Sequence, residues 1–157
     1  MNNKERQLQV NAIDEGTVID HIPSENLFKV ISILELDKTG NTITFGTNLD
    51  SRKMGTKSII KISHKFFETD EINKIALIAP HAKLNIIKNY EVVEKKPVEV
   101  PNEVIGIVKC FNPKCITNNE PVTTSFVLTN KEPITLKCRY CEKLTHAHQI
   151  VIKNSGS

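Results

Sequence analysis

Apolar positions along the chain change period several times, and each change marks an element. LQVNAI (residues 8–13) and TVIDHI (17–22) alternate in the manner of strands around a turn at Asp14-Glu15-Gly16, and Pro23 ends the second. Ser24 stands at a helix N-cap position with Glu25 in the first turn, where the helix dipole favours an acid. Leu27, Phe28, Ile31 and Leu34 then fall at helical spacing, which predicts a helix from 25 to about 37, ending before Thr39-Gly40. NTITFGTNL (41–49) and SIIKI (58–62) read as strands on either side of a polar connection. Thr69 caps a second helix, with Asp70 and Glu71 behind it, Ile72, Ile75 and Ala76 on its apolar face, and Pro80 as its stop. AKLNIIKNYEVV (82–93) reads as one long strand. The order β-β-α-β-β-α-β predicts an α+β unit, a ferredoxin-like antiparallel sheet with two helices on one face.

The pattern breaks at Lys95-Lys96-Pro97 and again at Pro101, which places a domain boundary at 97/98 and divides the chain into 1–97 and 98–157. Beyond it the apolar runs are short: Val104 to Val108, Ser125 to Leu128, Ile134 to Leu136 and Ile150 to Ile152. A module of this size has little apolar area to bury and needs another source of stability. All four cysteines lie in it, as CFNPKC (110–115) and CRYC (138–141) separated by twenty-two residues. Two close cysteine pairs on either side of a hairpin-sized spacer are the pattern of a structural zinc site, in a rubredoxin- or zinc-ribbon-like β domain. Two disulfides, or redox use of CRYC, are the alternatives. Four thiolates from Cys110, Cys115, Cys138 and Cys141 would close a tetrahedron, so such a metal holds structure and does no catalysis. The tail from Asn154 to Ser157 is expected to be disordered.

Composition narrows the function. The net charge of +3 is spread evenly, with fourteen basic against thirteen acidic residues in 1–97 and seven against five in 98–157. A protein that tracks a phosphate backbone shows a basic stripe, so nucleic acid is not the expected partner, although a nucleic-acid-binding zinc ribbon is the alternative function. No apolar run reaches the ~18 residues of a membrane span, and MNNKERQLQV has no signal core, which predicts a cytoplasmic chain with reduced thiols. No P-loop, nucleophile elbow or zincin motif is present. Asp20-His21 resembles half of an acid/base pair, but neighbours on a strand point to opposite faces. Lys57, Lys61 and Lys95 near strand ends suit a polyphosphate, but in a lysine-rich chain spacing alone favours plain solvation.

LQVNAIDEGTVIDHIP (8–23), KMGTKSIIKI (53–62), APHAKLNIIKNYEVVEK (79–95) and the tetrad in CFNPKC and LKCRYCEK together resemble the regulatory chain of aspartate carbamoyltransferase over nearly the whole length. The resemblance implies an N-terminal domain that binds CTP, UTP or ATP as effectors, and a C-terminal zinc domain that docks on the catalytic chain. It implies no active site, and an assembly of two catalytic trimers with three regulatory dimers. Matched by motif, the effector pocket falls on Val10, Asn11, Ala12 and Ile13, on Asp20 and His21, on Lys57 and Lys61, and on Asn85, Ile87, Tyr90, Val92 and Lys95. One departure is Asn11, where well-studied family members carry a glutamate. The zinc ligands fall on the four cysteines.

Overall fold

The computed structural model describes residues 13–153. The expected strand at 8–13, apart from Ile13, and the tail from Asn154 lie outside the described residues, as do Val10, Asn11 and Ala12. The first unit runs β1 (Glu15–Ile22), α1 (Leu27–Ile33), β2 (Ile43–Ser51), β3 (Gly55–Ser63), α2 (Thr69–Ile78), β4 (Lys83–Lys88) and β5 (Glu91–Pro97). Its antiparallel sheet has the order β2-β3-β1-β4-β5. A βαββαβ chain ordered β2-β3-β1-β4 is the ferredoxin-like arrangement, here with one strand added. The architecture is α+β, as the alternation of periods predicts.

Both helices cover one face. Ile19, Ile22, Ile60, Ile62 and Leu84 from the strands meet Leu27, Val30, Ile33, Ile75 and Ala76 from the helices in one buried cluster. Burial of a side chain of this size contributes about 1.5–3 kcal/mol, so this face decides the register of every strand. Gly16 sits where β1 is pressed against β3: its φ is +145°, and a Cβ there would lie 2.1 Å from the Ile62 carbonyl oxygen. Only glycine fits that approach.

Four local expectations need correction. The helix over 25–37 is broken into a 3-10 turn (Ser24–Asn26), α1, and a second 3-10 turn (Leu36–Lys38), because Glu35 takes a left-handed conformation. This lets Leu34 and Leu36 both turn into the core. Ser24 makes no helix cap; its hydroxyl lies 3.4 Å from that of Ser58 instead. The long strand over 82–93 is a hairpin, β4 turning at Asn89-Tyr90 into β5, with both turn residues at positive φ (51° and 66°). A two-residue turn of that hand matches the twist of the strands it joins, and Asn tolerates it. Finally, α2 is capped by Glu68, whose N–H donates to the Glu71 carboxylate at 3.0 Å, with Thr69 the first helical residue.

The second unit has β6 (Glu103–Ile105), β7 (Val108–Lys109), the short α3 (Ile116–Asn119), β8 (Ser125–Lys131), β9 (Ile134–Cys138), β10 (Leu144–His146) and β11 (Val151–Ile152). Its sheets are β10-β9-β8-β6 and β11-β7. The single run expected over 104–108 is two strands because Gly106 turns the chain at φ 72°. Val104, Val108, Phe126, Leu136 and three of the four cysteines form its core. Leu77 of α2 belongs to this second core, while Val98 belongs to the first; Ile78, Val100 and Ile152 touch both.

Candidate effector face and metal centre

The metal centre is built from two loops. After β7, Asn112 folds the first: its carbonyl accepts from the Cys115 N–H at 3.0 Å and its side-chain oxygen from the Lys114 N–H at 3.1 Å. Asn118 of α3 donates to the Cys110 and Asn112 carbonyls, which ties the loop to the helix. At the end of β9 the second loop closes with Glu142 at φ 64°, its N–H reaching the Cys138 carbonyl at 2.9 Å. These loops bring the Sγ atoms of Cys110, Cys115, Cys138 and Cys141 within 4.8 Å of one another. Cys110 and Cys141 are 3.7 Å apart and Cys115 and Cys138 3.8 Å. A tetrahedron of sulfurs with metal bonds of ~2.3 Å, the length found in zinc thiolates, has edges of about 3.8 Å. All four are free thiols, far beyond the ~2.05 Å of a disulfide. CRYC ends a strand of an antiparallel sheet and has no βαβ context, so neither alternative reading of the cysteines fits.

Electrostatics give the same result. Burial pushes the Cys110 thiol up to about 12. At Cys141 burial also opposes ionisation, yet the Lys143 N–H, the Asn112 side chain and the neighbouring thiols bring it down to about 7. Four sulfurs this close cannot all ionise without a cation between them, and a bound dication supplies that charge. Thr117 adds a hydroxyl 3.2 Å from the Cys115 sulfur.

The effector candidates gather on the other face of the first sheet, the one that bears no helix among the described residues. Across the strands Lys61, Val18, Asn85 and Lys95 stand in one register line. One pleat along, Asp20 pairs with Lys83. Asp20 also holds Lys57, with Nζ 3.0 Å from Oδ1 and 3.2 Å from Oδ2. Lys61 is buried at this face, and burial lowers its pKa, partly offset by Asp20. Ile87 lies along the same face two residues beyond Asn85, and Tyr90 stands exposed in the β4–β5 turn. Ile13 is half-buried just ahead of β1.

Two β-bulges make this grouping possible. In β1 the register slips between Ile19 and Ile22, so both remain in the core and the intervening Asp20 and His21 both leave it. His21 takes φ 61°, its N–H donates to Asp20 Oδ1 at 2.6 Å, and its Nδ1 lies 3.6 Å from Oδ2. The opposite-face expectation for this pair is therefore wrong, because a bulge adds one residue to the strand's period. In β5 the slip between Ile86 and Ile87 on the partner leaves Val93 unpaired, with Val92 opposite Ile87 and Lys95 opposite Asn85. Val92 and Lys95, three residues apart, thus share a face. Alternation by itself would separate them.

Two family models match the chain. Residues 8–99 match the model of the aspartate carbamoyltransferase regulatory chain, allosteric domain, and residues 102–151 that of its metal binding domain. The chain belongs to the aspartate carbamoyltransferase regulatory chain family. It is 59% identical to the regulatory chain of Parabacteroides distasonis over 150 residues, covering 96% of this chain and 97% of the relative. The Bacteroides fragilis chain is 56% identical over 152 residues (97% and 99%), and that of Thermococcus sibiricus 53% over 149 (95% and 98%). The protein is a regulatory chain with allosteric and metal-binding domains, not an enzyme in its own right. Among the described residues no helix is long and apolar enough to cross a membrane.

Lys53 and Lys83 are missing from the set matched by motif, although both line the cleft next to His21. For Lys83 the signal was available: it lies two residues before Asn85 on the same strand face.

Proposed function

We propose that this chain is a cytoplasmic allosteric subunit of aspartate carbamoyltransferase that binds CTP, UTP or ATP on its helix-free face and so controls the first committed step of pyrimidine biosynthesis. Residues 1–97 act as the effector domain. Residues 98–157 act as the domain that docks on the catalytic chain, within an assembly of two catalytic trimers and three regulatory dimers. Zinc bound by Cys110, Cys115, Cys138 and Cys141 holds the docking loops around 112–114 and 139–143.

The single observation that supports the effector reading is the line Lys61–Val18–Asn85–Lys95. It offers an amide able to donate and accept, set between two cations on the sheet face opposite the helices. Backbone groups of residues 11–13 would read the base edges, Asn85 would join them, and Asp20 would accept from a ribose hydroxyl. Lys57, Lys95 and His21 would meet the triphosphate, with Lys61 near ribose or base. Ile87, Tyr90 and Val92 supply the apolar wall. An effector bound here changes a distant active site only through differing affinity for two quaternary states, worth typically about 1–3 kcal/mol.

The test is assembly. Zinc-loaded chain mixed with its cognate catalytic chain forms a larger complex whose carbamoyl transfer to aspartate responds to CTP, while the regulatory chain by itself binds CTP and catalyses nothing. Failure to associate with metal present, or a complex indifferent to every nucleotide, would refute the proposal.

A further inference from the structure

Asn26 stands at the N-cap position of α1, where an asparagine side chain ordinarily accepts from the first N–H groups of its own helix. Here it makes no such bond. Its Nδ2 instead donates to the Ile78 carbonyl at 3.1 Å, fifty-two residues along the chain. Ile78 is the last residue of α2, and the carbonyls at a helix end have no partner within the helix. Asn26 thus ties the start of one helix to the end of the other.

The two ends of this bond lead to different places. Asn26 follows the β1 bulge closely, five residues past His21. Between them Ile22 is buried in the first core, Pro23 holds φ at −56°, and the 3-10 turn closes with the Asn26 N–H on the Pro23 carbonyl at 2.8 Å. A displacement of the bulge has little slack to be lost in before it reaches Asn26. At the other end, Ile78 packs against both cores, and Leu77 beside it is buried in the second. The chain then turns back at once, the Ala82 N–H donating to the Ala79 carbonyl at 3.0 Å. Within that turn His81 reaches Glu132 of the metal domain at 2.9 Å. The end of α2 is where the bulge and the seam between the domains meet, and the Asn26 amide is the hydrogen bond that joins them.

We propose that Asn26 is a positioning residue for the allosteric response: it carries the position of the β1 bulge to the end of α2, and through Leu77 and Ile78 to the metal domain. The inference rests on the effector reading above, in which Asp20 and His21 of the bulge meet the nucleotide. Asn26 itself meets none, because its side chain is committed to Ile78 on the helical side of the sheet. Apolar packing is non-directional and lets the end of α2 slide, whereas a hydrogen bond fixes both distance and direction. A bond of fixed length resists one arrangement of the two domains more than another, and that difference is what an effector can bias.

The test uses the holoenzyme, metal-loaded regulatory chain assembled with its cognate catalytic chain. Titration calorimetry gives the CTP affinity with and without carbamoyl phosphate and a non-reacting aspartate analogue on the catalytic chain. The ratio of the two affinities is the coupling, and it equals the reciprocal effect of CTP on binding at the active site. Asn26→Asp keeps the shape and remains a good N-cap, but has no N–H to give to Ile78. It is expected to reduce the coupling about two- to tenfold, the effect of one lost hydrogen bond, and to leave the CTP affinity of the free regulatory chain within about twofold. Val30→Ala thins the same core without removing a partner of the Ile78 carbonyl; it is expected to lower the urea midpoint and leave the coupling within about twofold. Unchanged coupling in Asn26→Asp, or an equal fall in Val30→Ala, overturns the proposal while the effector reading stands. So does a loss of CTP affinity in the free Asn26→Asp chain, which would place Asn26 in the nucleotide site itself. A wild-type holoenzyme with a ratio of one sinks the effector reading and this inference with it.

Discussion

His81 Nε2 lies 2.9 Å from Glu132 Oε1, joining the segment after α2 to the β8–β9 turn across the boundary between the two cores. Both side chains are well exposed, so water and salt screen the pair, and contacts of this kind contribute about 0–1 kcal/mol. Glu132→Gln is expected to change the urea midpoint only slightly. The apolar seam matters more. Leu77→Ala removes a buried side chain that α2 inserts into the core of the metal domain, and is expected to cost about 2–5 kcal/mol. Denaturant unfolding that shows Glu132→Gln more damaging than Leu77→Ala would reverse this ranking.

Cys138→Ser removes one sulfur of the tetrad. The metal domain is expected to lose its fold and its bound metal, while the first domain keeps its sheet and its nucleotide affinity. Amide exchange with a metal assay checks it; collapse of both domains together would show that they do not separate.

Metal affinity should depend on pH in a definite direction. Each thiol must ionise to bind, and Cys110, pushed up to about 12 by burial, carries its proton at neutral pH. Binding therefore releases protons, and the metal is held more weakly as pH falls. Competition with a chromophoric chelator between pH 8 and 6 is expected to show faster and fuller loss at the acid end. A pH-independent transfer would contradict the thiolate tetrad.

Lys95→Ala should weaken CTP binding without altering metal content, since Lys95 stands opposite Asn85 at the far end of the register line from Lys61. Unchanged affinity would remove it from the effector face.

His21 gives a second pH test. Burial depresses its pKa in the unliganded chain, opposed by Asp20 and reinforced by Lys57, Lys83 and Lys53, so the ring is neutral at pH 7. Phosphate beside it favours the protonated ring, so binding takes up a proton and tightens as pH falls. The nucleotide titrates too, and comparison with His21→Gln removes its share. The ratio of wild-type to variant affinity is expected to rise from pH 8 to 6; a flat ratio would mean that His21 does not face the phosphates.

Some of this molecule was legible residue by residue. The cysteine spacing named the four residues whose sulfurs the fold brings within 4.8 Å of one another, because such a cluster is built from short loops whose geometry depends on local sequence. The two helices and most strands followed from the apolar period. The breaks did not. Glu35 and Tyr90 adopt positive φ at positions with no glycine, and only the packing of Leu36 on one side and the pairing of β5 on the other explains why.

By itself the sequence determined the α+β class, the cysteine tetrad, the likeness to a regulatory family and the absence of recognisable catalytic motifs, since each depends on composition, period or spacing. Tertiary structure decided which residues share the candidate effector face. A bulge is a register choice made when two strands meet: with Ile19 and Ile22 both drawn into the core, the chain had to expel Asp20 and His21 together. The same kind of slip set Val92 beside Lys95, and the docking of α2 sent Leu77 into the neighbouring core. These outcomes depend on burial summed over several strands, and no local window of residues contains that sum.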